Sequence, residues 1–317
     1  MLKYLLLSLT LFFTCTVHAT DTRSIFVTED LQPQPLLIEL LQLDNLYNPN
    51  DTFQDIVQKT QKCWLSVQQG LNQRERTDLV DNQQRQLMQE RVLEIAAEIG
   101  LLNAIPPQLT HYESGICLGA FLSDVRARLT LLVDAWKQGI RFDSLYFLTG
   151  ERYLRKGPGQ QDDFEALCNP ALSPLPFKAT WIRPDPNSVA YETEYDMMRL
   201  VWEQVEIPTD MAKTLKDRVF FVNAPKGNFP RPSTADTYVQ WLLDYQCTPG
   251  TVVAASTPLV WSQQQLVGER VLGPQFHLET IASAPTDAEF NTYFKNSTSI
   301  VLDTVAKCLF EISLIKN

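Results

Sequence analysis

Glu194 lies in Tyr191-Glu192-Thr193-Glu194-Tyr195-Asp196, just where a helix is expected to open. A carboxyl held at the edge of a site can serve as a general base, a ligand contact or the partner of a cation. A plainer account is that acids in a first helical turn interact favourably with the helix dipole. A cation for Glu194 is at hand in Leu148-Thr149-Gly150-Glu151-Arg152, which reads as an apolar strand passing through a glycine turn into a charged pair. That pair would also serve as an ordinary loop ion pair. Arg231-Pro232-Ser233-Thr234 leads into another helix, with Ser233 or Thr234 as its cap. Ala255-Ser256-Thr257-Pro258 has a hydroxyl followed by proline, a pattern that starts helices. Both turns would offer free amides and hydroxyls to an anion. Each feature has a structural account of its own. Together they favour a small polar or phosphorylated ligand over an apolar one.

Other chemistries lack their residues. The chain has no P-loop and no GxGxxG. It has no GxSxG elbow for a nucleophilic serine. Beyond His18 the histidines are His111 and His277, neither with a partner at metal-ligand spacing, so no metal site is expected. The residues name no cofactor. The formal charge of −10 argues against nucleic acid, whose phosphates demand a basic face. Cys63, Cys117, Cys168, Cys247 and Cys308 show no CxxC spacing, and Cys117 reads as a small apolar residue inside a strand.

The elements that must position these residues follow from periodicity. Residues 31–105 read as helical, with Gln84 to Leu101 placing Leu87, Val92, Leu93, Ala96, Ala97 and Leu101 near helical spacing. From about 111 short apolar runs alternate with amphipathic helices. Strands are expected at 114–119, 144–148, 218–222, 251–255 and 276–282, with helices at 123–138, 193–204, 234–245, 259–272 and 287–312. This alternation predicts an α/β fold: a doubly wound, mainly parallel, Rossmann-like sheet of five strands, with an N-terminal helical region and a C-terminal helix. Ligands of such sheets bind beyond the carboxyl ends of the strands. Every segment singled out above falls there. The intervening loop, 155–191, carries Phe177, Trp181 and Arg183 and has the length of a functional lid.

The first nineteen residues have the form of a cleaved leader peptide: Lys3, an apolar run from Tyr4 to Phe13, then Val17-His18-Ala19 at the cut. That run is too short to span a bilayer, which takes roughly 20 residues. Loss of Lys3 takes the net charge from −10 to −11. The expectation is a periplasmic or secreted protein without a transmembrane segment after cleavage. Its parts would be a leader (1–19), a helical region (20–110), an α/β ligand-binding domain (111–285) and a C-terminal helix (286–317).

The order of motifs over roughly 112–283 resembles the domain found in the SanA, ElyC and YdcF proteins of bacterial envelopes. Gly115-Ile116-Cys117-Leu118-Gly119 is similar to its first strand and glycine turn. Arg128-Leu129 falls at its Arg-Leu pair, and Leu148-Thr149-Gly150 at its strand ending in Ser-Gly-Gly. Glu194, Met198 and Ile207-Pro208 match its Glu-x-x-x-Met helix, and Val252 to Ser256 its strand ending in Thr-Ser. Two departures stand out: Glu151 replaces the second glycine, and Pro258-Leu259-Val260-Trp261 stands where the family has a histidine. With the residues at the strand ends, the resemblance points to an envelope protein that binds a polar, phosphorylated small molecule, with action on that molecule an open alternative. Glu194 would be the acid-base residue, Arg128, Glu151 and Arg152 the charged contacts, and Ser233, Thr234 and Ser256 the hydroxyl contacts. The missing histidine keeps a catalytically silent binding protein in view, and the helical N-terminal part a secreted protein-interaction factor.

Overall fold

The computed structural model describes residues 21–65, 81–228, 231–246, 248–286 and 298–315. The expected leader, Cys247 and the first part of the expected C-terminal helix lie outside the described residues. Five strands form one parallel sheet: β1 (His111–Leu118), β2 (Arg141–Gly150), β3 (Val219–Ala224), β4 (Thr251–Ala255) and β5 (His277–Ile281). Their order is β3-β2-β1-β4-β5. The chain winds outward from β1 to β2 and β3, then crosses to β4 and β5 on the other side. The winding therefore reverses between β1 and β4, the position at which open α/β sheets form their crevice.

Burial on both faces explains the composition of the strands. On one face α5 (Leu122–Lys137), α7 (Glu194–Gln204) and α8 (Thr209–Thr214) cover Cys117, Leu145, Phe147, Val253 and Ile281. On the other, α9 (Thr234–Tyr245) and α10 (Trp261–Leu272) cover Ile116, Leu118, Leu148, Val222 and Val252. Gly139 ends α5 in the left-handed region, at φ +99°, where a side chain would be strained.

A third apolar core lies outside the sheet. It joins α1 (Pro35–Leu43), α2 (Phe53–Trp64) and α4 (Gln89–Glu98) to α11 (Thr298–Ile315). Val301, Leu302, Val305, Leu309 and Ile312 of α11 are all buried there. Each such side chain contributes about 1.5–3 kcal/mol. Asp81 fastens the start of α11 by accepting from the amides of Thr298 (2.6 Å) and Ser299 (2.8 Å). Helices α1, α2, α4 and α11 thus form one helical layer, which meets the sheet through Leu259 and Leu266 near and within α10.

Two expected helices differ in detail. The helix expected over 84–101 is broken at Met88 into α3 (Gln83–Leu87) and α4, which leaves Leu87 83% exposed while Met88, Val92 and Ile95 enter the core. The helix expected from Leu259 begins at Trp261, because Leu259 has a left-handed φ of +70°. Pro258 therefore does not start α10, and neither Ser256 nor Thr257 caps it. What holds Leu259 in this costly conformation is burial in the helical core and a 2.7 Å bond from its amide to the Leu101 carbonyl.

Candidate functional site

The turns after β1 and β2 are built to receive a carboxylate. Gly119 follows β1, and its amide donates to the Leu148 carbonyl at 2.8 Å. A Cβ at Gly119 would lie 2.6 Å from Glu194 Oε2, so only glycine leaves room. The Gly150 amide, at the end of β2, donates to the same oxygen at 3.2 Å. Arg152 Nε donates to Glu194 Oε1 at 3.3 Å. Thr193 and Asp196 form a reciprocal cap at the start of α7, so the position of Glu194 is set by its own helix as well. Glu194 is 7% exposed. Burial pushes its carboxyl above the usual carboxylate range, opposed by Arg152, the Gly150 amide and the Arg231 charge.

Arg152 holds more than Glu194. Its Nη1 donates to Asp162 Oδ2 at 3.0 Å, its Nη2 to the Ala120 carbonyl at 2.9 Å, and its guanidinium lies 4.8 Å from the Phe121 ring centroid. Asp162, fully buried, also accepts from the amides of Leu122 (3.1 Å) and Arg155 (3.1 Å). It thereby fills the anion position at the start of α5. Sequence reasoning did not single out Asp162. The available signal was Phe121, which precedes α5 and has no side chain able to cap it, so an acceptor had to come from elsewhere.

The other expected site residues are distributed as follows. Arg128 is buried and donates to the carbonyls of Leu118 (2.9 Å) and Gly119 (2.6 Å) and to Thr257 Oγ1 (3.3 Å), tying the end of β1 to the turn after β4. Glu151 accepts from the Lys226 amide at 3.3 Å, beside the end of β3. Ser233 caps α9 and bonds Asp236, and Thr234 is the first residue of that helix. Their loop reaches β2 through Pro232, which packs so closely on Gly150 that a Cβ there would be 2.0 Å from its Cγ. Ser256 faces α10, bonding Gln264, and is not drawn to Glu194. The structure therefore brings Arg128, Arg152 and Glu194 to the turns after β1 and β2, with Glu151 bonded toward the end of β3, Ser233 and Thr234 at the start of α9, and Ser256 apart. The helix starts expected to offer free amides are largely supplied from within: Asp162 serves α5, Asp196 serves α7 and Asp236 serves α9.

The loop expected to be a lid is firmly packed. Leu167 at the end of the short α6 (Phe164–Leu167), Leu175 and Tyr191 are buried in the core on the α5 side of the sheet. Arg126 donates to the carbonyls of Ala166 (3.2 Å), Leu167 (2.6 Å) and Leu172 (3.1 Å). Exposed stretches remain at 158–160, 169–172 and 185–188. Burial pushes the Cys117 thiol up to about 12, which disfavours the nucleophilic thiolate. His111 and His277 open β1 and β5, at the opposite edge of the sheet from Glu194. Among the described residues no group of three or more His, Cys, Asp or Glu side chains could hold a metal ion. No described helix is long and apolar enough to cross a membrane.

Fold and site define an α/β protein with a doubly wound parallel sheet and a buried Glu–Arg–Asp network at its carboxyl edge. Comparison with protein-family models, curated proteins and solved structures gave no match for this chain.

Proposed function

We propose that this chain is an exported envelope protein that binds a small polar, phosphorylated molecule at the carboxyl edge of its sheet and uses Glu194 to move a proton on it. The observation that carries this reading is the Glu194 carboxyl. It is buried at a strand end beside Gly119 and Gly150, with its proton affinity raised by burial and an arginine in contact. A general acid or base working near neutral pH needs such a setting. The same reading extends the resemblance to the SanA, ElyC and YdcF proteins. In it Arg128, Arg152 and Glu151 shape the site, and Ser233 and Thr234 border its entrance.

A catalytically silent binding protein is the second reading. The observation favouring it is Leu259, which is buried in the helical core within the stretch where the resembled family has a histidine. One experiment separates the two. Small molecules bound to the purified chain lacking 1–19 are identified by mass spectrometry and ranked by phosphate content, and the best ligand is incubated with the native and Glu194→Gln proteins. Proton transfer by Glu194 predicts conversion by the native chain and a loss of about 10²–10⁴-fold in rate in the variant, with binding retained. A ligand that binds and is returned unchanged selects the silent reading. Absence of any small polar ligand sinks both.

A further inference from the structure

Glu194 and Asp162 draw on one guanidinium. Arg152 donates through Nε to the first and through Nη1 to the second, and all three side chains are buried. Two carboxylates on one arginine compete for its charge, and in a site of low dielectric that competition is strong. We propose that Asp162 is a positioning residue that controls the protonation of Glu194 through Arg152. The inference rests on the reading of Glu194 as the proton-transferring group.

The direction follows from the geometry. While Asp162 is ionised and docked, part of the Arg152 charge is committed to it and a second negative charge stands near Glu194. Both effects favour the protonated form of Glu194. Other groups act on the same carboxyl: the Arg231 charge from the loop before α9 and the Cys117 thiol of β1, while Arg128 of α5 stands beyond the Gly119 carbonyl. All of these belong to the frame of the sheet or to other loops. Asp162 belongs to a tight turn, closed by its own amide on the Arg155 carbonyl at 3.1 Å and shaped by Gly157 and Gly159 at φ +122° and +75°. The tip of that turn is exposed. Contact at this tip would therefore reach Glu194 as a change in its charge. By linkage, ionisation of Glu194 would loosen the turn.

The test is a carboxyl titration of the free protein by carbon-detected NMR, with the Glu194 signal assigned by its loss in Glu194→Gln. Asp162→Asn should lower the Glu194 midpoint by about one pH unit. An unchanged or higher midpoint overturns the proposal. Should the variant fail to fold, hydrogen exchange of the Leu122 and Arg155 amides decides instead. Corrected for intrinsic rate, their protection should fall as pH rises through the Glu194 titration in the native chain and stay level in Glu194→Gln. An equal slope in both proteins overturns it as well. Neither measurement uses a ligand, so a failed ligand search leaves this coupling standing, and a failed titration leaves ligand binding open.

Discussion

Arg152 is the residue whose loss the fold should tolerate least near the site. Removing its guanidinium leaves Glu194 and Asp162 buried without the charge they share. Breaking a buried ion pair in this way costs about 3–5 kcal/mol. Arg152→Met should therefore unfold at much lower urea than the native protein at pH 8. The deficit should shrink as the pH falls towards 5, because a carboxyl that binds a proton no longer needs the cation. Urea titrations at the two pH values check this, and an equal deficit at both would show that the lost packing of the long side chain, not charge, sets the cost. The meeting of Glu194 with Arg152 is legible in the sequence, since one follows a strand and the other opens the next long helix at the same edge. Asp162 is not legible, because nothing in Gln160-Gln161-Asp162-Asp163 distinguishes which acid turns inward. That choice is made by the amides of Leu122 and Arg155, which lie far from it in sequence or face it only once the turn has closed.

Among the elements, α5 anchors the long loop. The Arg126 guanidinium is buried against three carbonyls, with no carboxylate among the described residues bonded to it, and burial pushes its pKa down to about 10. Hydrogen bonds from a charged donor contribute about 1.5–3 kcal/mol. Arg126→Met should thus release residues 164–172 while the sheet keeps its structure. Limited proteolysis should show faster cleavage within 156–175 and little change elsewhere. Unchanged cleavage there would mean that Leu167 and Leu175 hold the loop without help. The strands and most helices are legible because burial follows the local pattern, apolar runs in strands covered on both faces and one apolar stripe on each helix: α9 and β4 begin and end where their patterns do. The start of α10 is misread from Ser-Thr-Pro chemistry because a tertiary contact, the Leu259 amide on Leu101, outweighs a local helix-start signal.

In the whole molecule, stability rests on three apolar cores, two against the sheet and one between the chain ends. Leu309→Ala, at the centre of α11, should cost about 2–5 kcal/mol. Because α2, α4 and α10 all pack on α11, that loss should appear in the exchange of amides in α2 and α4 as much as in α11 itself. Protection lost from α11 alone would mean that the helical layer is not cooperative. The sequence shows that both ends are helical but not that they touch, since helical periodicity marks an apolar face without naming what covers it. The pairing has a consequence in time. The apolar faces of α1, α2 and α4 leave the ribosome without α11, which follows about 200 residues later, a delay of roughly 10–40 s at about 5–20 residues per second. Throughout that interval residues 35–98 lack the cover of α11, and chaperone occupancy should concentrate on them until α11 emerges.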